Sequence, residues 1–379
     1  MDYEKLLQEV KTKIDRRMAG NPPQSKLYED YKIGEDGRYA PQVLDTNTAY
    51  WTRSFLTGAV AYLYYHYKEE KYLDYLKKSM LVFEDYIYSR LSRAHHDDGF
   101  RMSLSVVALY KLCPEESTKR LALRAADELA KCYVPKVGVL PGFFGRCGED
   151  RVQTIVDDMM NIAIWMWAGE ETGNTYYKEL YTTHIKTVMR DMKRPDHSLC
   201  HSYMWDGRTG EPLTELNYCG YGVGSTWSRG QSWALYGLVN ALKVTQDELL
   251  YLPHIEGQLN FLMNHLREYP IPKWDLNCFG NETNLLDTSA AAVITCALLK
   301  LKELDIKGKM GGPAADYQAK AEEILDCLVK DFWAAPEKDN IIEGGQAGFE
   351  MLGCVWGDYF MVEALMRKFH GNDMPDFWV

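Results

Sequence analysis

The sequence contains no run of basic residues and no apolar run of the roughly 20 residues that cross a bilayer. Its 43 Lys and Arg are scattered and are outnumbered by 54 Asp and Glu, which gives a formal net charge of -11. Scattered cations in an acidic chain argue against nucleic acid or a membrane as a partner. Residues 1–20 read as an amphipathic helix and lack the features of a signal peptide, so we predict a cytoplasmic protein.

Clustered cysteines are also missing. The nine Cys are an odd number without a CxxC pair, which predicts reduced thiols and not a disulfide framework.

The stretch DDMMN, residues 157–161, superficially matches the Mg²⁺ motif of all-α isoprenoid synthases, but the second motif and the basic diphosphate clamp are absent. We therefore predict neither a metal nor a cofactor.

Aromatic residues are abundant, at 13% of the chain, and many lie in stretches of helical period, whereas strand-like alternation is scarce. Hydrophobic residues make up 46% of the chain, enough for a large core. Apolar spacing and turn residues together predict twelve helices, near residues 2–18, 50–67, 71–90, 101–113, 116–133, 155–171, 174–193, 226–245, 252–268, 287–304, 314–332 and 357–369.

A weak internal repeat joins these helices in pairs: an apolar helix, a short polar turn and a second helix rich in Tyr, Leu and Ala. The pattern recurs five times, and the last helix can pair with the first to make a sixth hairpin. An open stack of hairpins needs polar capping faces, whereas the candidate inner helices stay apolar up to the last one, WGDYFMVEALM. We therefore predict an all-α closed ring of six helical hairpins, with residues 1–379 forming a single domain.

Long polar and Gly-rich joins fall between the hairpins and not within them. Since each join leads from one hairpin to the next, we expect all of them at one mouth of the ring, where loops form a binding site. The joins cover residues 135–154, 194–225, 270–286 and 333–356.

Two acidic doublets stand at the start of neighbouring inner helices. They are Asp97–Asp98, in the stretch AHHDDGF, and Asp157–Asp158, in the stretch VDDMMN. Their first members are 60 positions apart, about one hairpin repeat, so we expect the two carboxylates to face each other across the mouth. The alternative is that each Asp caps its helix. Within the second doublet, the helical spacing predicts one functional carboxylate and one cap or supporting partner.

A third stretch, STWSRGQSWALYG, places Arg229 and Trp233 four residues apart on one helix face. A guanidinium beside an indole suits an anionic ring ligand that pairs with one and stacks on the other. Equally compatible is an Arg229 that bridges loop carbonyls and a Trp233 that fills the core. His201 and Trp51, also predicted near the mouth, have the same two interpretations.

Five stretches together resemble the unsaturated glucuronyl hydrolases of glycoside hydrolase family 88, in order from about residue 46 to 369: AHHDDGF, IVDDMMN, STWSRGQSWALYG, LDTSAAAVITCALL and WGDYFMVEAL. The resemblance implies an (α/α)6 barrel. It also implies removal of the 4,5-unsaturated glucuronic acid from the non-reducing end of oligosaccharides left by polysaccharide lyases. In that chemistry an acid protonates C4 of the C4=C5 enol ether, water adds at C5, and the resulting hemiketal opens and expels the other sugar. The carboxylate-spacing rule for ordinary glycosidases does not apply.

The resemblance further implies roles for individual residues. Asp157 matches the family's general acid/base and Asp97 its second essential carboxylate. An apolar setting and a facing carboxylate both raise an Asp pKa, as a proton donor near neutral pH requires. Asp287 matches a position to which we assign no role, and Cys219 falls where other members carry a Gln that helps to hold the sugar. The predicted substrate-binding positions are His96, His201, Trp51, Trp227, Arg229 and Trp233.

The expected partner is therefore an unsaturated disaccharide or short oligosaccharide, bound by a monomer or homodimer. The stretch GGQAGFEMLGCVWGDY lacks the Ser-Lys set associated with sulfated substrates, which favours unsulfated or differently decorated ones. The nearest alternative is the unsaturated rhamnogalacturonyl hydrolases, which act on pectin fragments, although HHDDGF favours the glucuronyl enzymes. A sugar 2-epimerase would need more His residues than the chain offers, and a non-catalytic carbohydrate-binding barrel would not need both Asp97 and Asp157.

Overall fold

A computed structural model describes residues 2–25, 27–43, 50–89, 95–142, 150–278, 285–304, 306, 308–347 and 350–379. Parts of the predicted joins 135–154, 270–286 and 333–356 lie outside the described residues. In the described part of the chain, no helix has the length and apolarity needed to cross a membrane.

All twelve predicted helical segments are present, with boundaries that differ by a few residues. Two of them are interrupted rods: α4 and α5 are joined by a π-helical turn at Ser103–Val107, and α7 and α8 are separated by a break at Ile162. The helices are α1 Tyr3–Gly20, α2 Arg53–Tyr67, α3 Glu70–Ser89, α4 Asp98–Met102, α5 Ala108–Leu112, α6 Glu116–Ala130, α7 Asp158–Asn161, α8 Ala163–Thr172, α9 Thr175–Asp191, α10 Ser228–Thr245, α11 Glu248–His265, α12 Thr288–Glu303, α13 Tyr317–Asp331 and α14 Val355–His370.

Six rods form a closed inner ring. Contacts run from α2 to α4–α5, then to α7–α8, α10, α12 and α14, and from α14 back to α2. The outer helices α3, α6, α9, α11 and α13 each pack on the inner rod that precedes them, and α1 packs on α14. The buried apolar side chains form one contiguous cluster through this ring. The ring of six hairpins is confirmed as an (α/α)6 barrel; the division into one domain over 1–379 stays a prediction.

The inner rods all begin at the same end of the ring. Short turns at 68–69, 113–115, 173–174 and 246–247 lead from inner to outer helices, and the long joins lead back to the start of the next inner rod. The joins therefore gather at one mouth, as the sequence predicts. Because each inner rod begins there, the positive ends of six helix dipoles point toward the mouth.

The joins contain short strands that the sequence pattern does not reveal, since strands this short offer little alternation to detect. Three of them form an antiparallel sheet in the order β3-β4-β5, and the others form two hairpins. Their bounds are β1 Leu27–Glu29, β2 Pro41–Val43, β3 Arg151–Ile155, β4 Ser202–Asp206, β5 Pro212–Leu216, β6 Gly345–Ala347 and β7 Glu350–Leu352.

The end of the ring opposite the mouth is filled by the C-terminal segment. Phe377 stacks on Tyr62 with ring centroids 4.4 Å apart, and Trp378 stacks on Phe360 at 5.8 Å with the rings almost parallel. Phe377 and Trp378 are fully buried. Below them, the Asp376 carboxylate lies 2.5 Å from the Lys300 ammonium. Apolar side chains and a buried ion pair therefore close the barrel at this end.

Candidate active site

The first residues of the inner rods converge at the mouth. The N-cap positions of the six rods are occupied by Thr52, Asp97, Asp157, Trp227, Asp287 and Cys354. Most of the predicted site residues lie at these positions or one to two residues away. An assembly of helix N-termini favours a ligand that carries negative charge.

The two acidic doublets are built alike. Asp97 and Asp157 occupy N-cap positions, yet neither side chain makes a capping hydrogen bond. Their side chains keep 15% and 19% exposure, whereas those of Asp98 and Asp158 are fully buried. The structure therefore does not support capping by the first carboxylate of either doublet, and it leaves that carboxylate open to the mouth.

The second carboxylate of each doublet is held by hydrogen bonds. Asp158 accepts from Thr154 Oγ1 (2.7 Å) and lies 2.9 Å from His96 Nδ1. Asp98 accepts from the hydroxyl of Tyr86 (2.7 Å) and from Arg101 Nη1 (2.9 Å). Such partners offset much of the cost of burying a carboxylate. Asp158 is thus a supporting partner and not a cap, since its carboxylate orients the imidazole of His96.

His96 lies between carboxylates of both doublets. Its Nδ1 meets Asp158, and its Nε2 lies 3.7 Å from Asp97 Oδ1. Burial alone would lower the pKa of His96, but the charges of Asp97 and Asp158 outweigh burial and raise the pKa to about 9. Burial likewise opposes ionisation of Asp97, yet His96 and His95 hold the pKa of Asp97 well below its usual range. At neutral pH we therefore expect an imidazolium beside an ionised Asp97.

Asp157 has the opposite electrostatic character. Burial raises its pKa; the charge of His96 opposes the rise, and those of Asp158 and Asp97 add to it, so that the pKa reaches about 7. Its Oδ2 has no hydrogen-bond partner among the described residues. The two mouth carboxylates thus differ in protonation near neutral pH, which is the arrangement by which one carboxyl can donate a proton while the other remains an anion.

His201 approaches Asp157 as a neutral ring. Burial lowers the pKa of His201 to about 3. The backbone N–H of Tyr218 donates to Nδ1 of His201 at 3.0 Å, so the ring proton is assigned to Nε2. That Nε2 lies 3.8 Å from Asp157 Oδ2, too far for a hydrogen bond. An N–H donor therefore lies next to Asp157 without a hydrogen bond between the two groups.

Arg229 is held between two indole rings. Its guanidinium lies 4.7 Å from the ring centroid of Trp227 and 5.0 Å from that of Trp356. Nη1 donates to the Asp287 carboxylate (2.8 Å) and to the Gln346 carbonyl (2.9 Å). No acceptor for Nε or Nη2 is found among the described residues. A fixed guanidinium with donors to spare can pair with a ligand carboxylate.

Asp287, whose role the sequence left open, has two structural functions. Its carboxylate accepts from the backbone N–H groups of Ser289 and Ala290 and so caps α12. The same carboxylate anchors Arg229. Cys219 is an exposed residue. Desolvation of its thiol by neighbouring groups and, second, the charge of Asp157 raise the pKa of the thiol to about 12. The Cys219 thiol is therefore uncharged at neutral pH.

Of the two interpretations of Trp233, the structure agrees with the one in which its ring fills the core and not with the one that places it beside Arg229 at the mouth. Trp233 is only 1% exposed, and its ring packs against Phe100 (5.5 Å) and Phe360 (5.1 Å). The i to i+4 spacing correctly places Trp233 on the same helix face as Arg229. Because α10 begins at the mouth, however, Trp233, one turn after Arg229, lies deeper in the ring. Trp233 fills the core, and a contact between it and a substrate stays a prediction.

Trp356 takes the place expected of Trp233. Its ring stacks on Trp51 at 5.5 Å and 18°, so that Trp51, Trp356 and Arg229 form a continuous stack. Sequence reasoning missed Trp356, although it begins the stretch WGDYFMVEAL. The available signal was its position in the first turn of the last inner helix, two residues after the N-cap, which is the position of Arg229 in α10.

The rods that carry the two doublets touch at Gly99. A Cβ built there would lie 2.0 Å from the carbonyl oxygen of Asn161, so only glycine fits. Asn161 also accepts the N–H of Phe100 through its side chain (2.9 Å). This contact fixes the distance between the rods that present Asp97 and Asp157.

One group of described residues has metal-ligand chemistry at suitable spacing. Ligand atoms of His95, His96 and Asp97 lie within 4.8 Å of one another. The imidazoles of this group already pair with carboxylates: His96 Nδ1 lies 2.9 Å from Asp158 and His95 Nδ1 lies 3.0 Å from Asp97. These contacts fix the position of the Asp97 carboxylate.

Comparisons with known proteins agree with this architecture. Residues 24–371 match the model of Glycosyl Hydrolase Family 88. The chain is 27% identical over 343 residues to the unsaturated chondroitin disaccharide hydrolase of Streptococcus pneumoniae, covering 86% of this chain and 83% of that one. It is 28% identical over 353 residues to the unsaturated glucuronyl hydrolase of Bacillus sp. GL1, covering 89% and 90%. The crystal structure of the Bacillus enzyme superposes with a TM-score of 0.88 at 22% identity, covering 98% of both chains.

The closed ring of hairpins with carboxylates at its mouth is thus the fold of the crystal structure on which the chain superposes. With a family model matched over nearly all of its length, the chain belongs to Glycosyl Hydrolase Family 88 and is a glycoside hydrolase of the unsaturated glucuronyl hydrolase type.

Proposed function

We propose that this enzyme removes the 4,5-unsaturated glucuronic acid from the non-reducing end of glycosaminoglycan disaccharides and short oligosaccharides. The observation that carries the proposal is the pairing at the mouth of a carboxyl with a pKa of about 7, Asp157, with an ionised carboxylate, Asp97. The names of the two relatives support the substrate class.

Asp157 acts as the general acid and then as the general base. Its proton goes to C4 of the C4=C5 double bond, and positive charge develops at C5 and on the ring oxygen. The Asp157 carboxylate takes a proton from water as the water oxygen bonds to C5, which restores the acid. The hemiketal at C5 opens to a ketone as the bond from C5 to the ring oxygen breaks, which leaves a hemiacetal at C1. The hydroxyl proton of the hemiacetal passes to the departing oxygen, C1 becomes an aldehyde, and the other sugar leaves as an alcohol. Overall, one water is consumed for each glycosidic bond broken.

Asp97 stabilises the positive charge that develops in this step. Its charge is maintained by His96 and His95, which lower its pKa. A fixed anion near a developing cation lowers the barrier without reorganising at the moment of reaction. His201, whose Nε2–H lies 3.8 Å from Asp157 Oδ2, is positioned to donate to the water that Asp157 activates.

The carboxylate of the unsaturated uronate pairs with Arg229. The guanidinium is already fixed by Asp287 and by the rings of Trp227 and Trp356, so little conformational entropy is lost when the substrate binds. The same two indoles, together with Trp51, supply apolar surface for the flat face of the unsaturated ring.

We also propose that the substrate is unsulfated or differently decorated. The rim segment that precedes α14 carries Glu350, which is more than half exposed and pairs with Lys32. An exposed carboxylate at this place repels a sulfate group, and its pairing occupies the nearby ammonium.

The test is to incubate the enzyme with unsaturated disaccharides from chondroitin, hyaluronan, heparin and rhamnogalacturonan and to follow the loss of absorbance of the conjugated double bond. We expect turnover of one or more glycosaminoglycan disaccharides, fastest with unsulfated ones. Turnover of the rhamnogalacturonan disaccharide alone would move the enzyme to the pectin-specific class, and turnover of none would refute the proposal.

A further inference from the structure

Tyr218 is a highly exposed aromatic ring in a fixed position. Its side chain is 58% exposed, although the residue is anchored at both ends. The backbone N–H donates to Nδ1 of His201 (3.0 Å), and the hydroxyl accepts from Nε2 of Gln153 (3.0 Å). A ring held open to solvent is a preformed binding surface, because binding to it costs little side-chain entropy.

The ring lies one side chain outward from the proposed general acid. Tyr218 packs edge-on against His201, with centroids 5.8 Å apart and planes at 81°. His201 in turn lies 3.8 Å from Asp157. A substrate whose unsaturated ring lies at Asp157 must direct its next sugar outward through the mouth, and the exposed ring of Tyr218 lies at that mouth.

The segment that follows Tyr218 is rigid and bears further apolar side chains. Asp275 accepts from the N–H of Tyr221 (2.8 Å) and from Ser225 Oγ (2.6 Å). The side chains of Tyr221 and Val223 are nevertheless exposed. Three exposed apolar side chains therefore lie within six residues of one another, and Tyr218 is the one that packs on the site residue His201. A hydrogen-bonded scaffold that presents apolar groups to water is characteristic of a ligand-binding surface.

We propose that Tyr218 is the stacking platform for the saturated sugar attached to the unsaturated uronate. The apolar C–H face of a neutral pyranose packs on the ring, while the Tyr218 hydroxyl, held by the buried Gln153, contacts its hydroxyl groups. The inference rests on the proposed function, since that function places the uronate at Asp157. Tyr218 then determines which leaving sugars the enzyme accepts, and it contributes equally to binding in the ground state and in the transition state.

The test compares Tyr218→Ala and Tyr218→Phe with Tyr176→Ala, a matched change at an exposed Tyr on the outer helix α9. For Tyr218→Ala we expect a KM for unsaturated disaccharides raised about 3- to 10-fold, from the loss of one aromatic contact, with kcat within about twofold. Tyr218→Phe keeps the stacking face and should restore most of the affinity. The backbone N–H bond to His201 is present in every variant.

A second measurement does not depend on turnover. Binding of a saturated pyranose such as N-acetylgalactosamine is titrated by calorimetry to wild-type enzyme and to the three variants. Weaker binding by Tyr218→Ala alone supports the platform, whichever disaccharide is hydrolysed. Unchanged KM and unchanged binding in Tyr218→Ala, or equal losses in Tyr176→Ala, overturn it. Wild-type enzyme that turns over no disaccharide would instead refute the proposed function, and the titration would still decide on the platform.

Discussion

Replacing Asp157 with Asn removes the proposed proton donor while keeping the size of the side chain. A positioned general acid contributes on the order of 10²- to 10⁴-fold to a rate, so we expect kcat/KM of Asp157→Asn to fall by at least this factor. That loss corresponds to about 3 to 5.5 kcal/mol of transition-state stabilisation. Substrate binding should persist, because Arg229 and its indole neighbours are untouched. Asp74→Asn, on the exposed outer helix α3, is the matched control.

The pH dependence sharpens this prediction. With a pKa of about 7, Asp157 is mostly protonated at pH 6 and mostly ionised at pH 8. The wild-type kcat/KM should therefore decline about tenfold for each pH unit above 7, as the acid form is lost. The residual rate of Asp157→Asn should lack this decline. Initial rates between pH 5 and 9, followed by loss of absorbance of the double bond, measure both profiles.

Thermal stability is a second readout of the same substitution, and Asp157→Asn should raise stability where it lowers activity. The pKa of Asp157 is raised on folding from 3.8, so this group favours the folded state fully below about pH 4, and the advantage is lost as pH rises through 7. Above that pH the ionised side chain costs up to about 4 kcal/mol, from the size of the shift. Asp157→Asn should thus unfold at a higher temperature than wild type at pH 8. Wild-type activity in the variant, or a shared pH profile, would refute the assignment.

Three further predictions concern the residues around Asp157. Arg229→Lys should raise KM roughly 10- to 100-fold with a smaller effect on kcat, because an ammonium lacks the guanidinium fork and its flat stacking face; steady-state kinetics separate the two. Asp97→Asn should lower kcat about 100-fold, because the anion that stabilises the developing positive charge is lost. The pH at which the residual activity declines should also fall, since Asp97 is one of the charges that raise the pKa of Asp157. A pH profile with the same midpoint as wild type would contradict this coupling. Gly99→Ala should destabilise the fold by about 1 to 3 kcal/mol in thermal unfolding, because the new methyl group overlaps the Asn161 backbone.

The ring could be predicted from the sequence because every inner helix repeats the same apolar pattern and every long join falls between hairpins. The start of each inner helix was therefore correctly assigned to the mouth. The π-helical turn at Ser103–Val107 was not predicted. The carbonyl of Leu104 within it accepts from the hydroxyl of Thr57 on another helix, and such a contact leaves no periodic signal.

The candidate site could be predicted in its residues more than in their arrangement. Helical spacing predicts that the side chains of Asp157 and Asp158 point in different directions. It does not predict the partners of Asp158, because Thr154 lies on a strand and His96 lies at the start of another rod. Spacing likewise gives the face of a helix and not depth along it, which is why Trp233 was expected at the mouth. Contacts between residues far apart in the chain, such as that of Arg229 with Trp356, leave no periodic signal.

The plug of Phe377 and Trp378 in the far end of the barrel makes the mouth both the entrance and the exit. In the proposed binding mode the unsaturated uronate lies innermost and the saturated sugar outermost. The saturated sugar must therefore leave before the keto-uronate can follow. The shape of the barrel therefore sets the order in which the products leave. It also means that only the non-reducing end of an oligosaccharide can reach the reacting carboxyl.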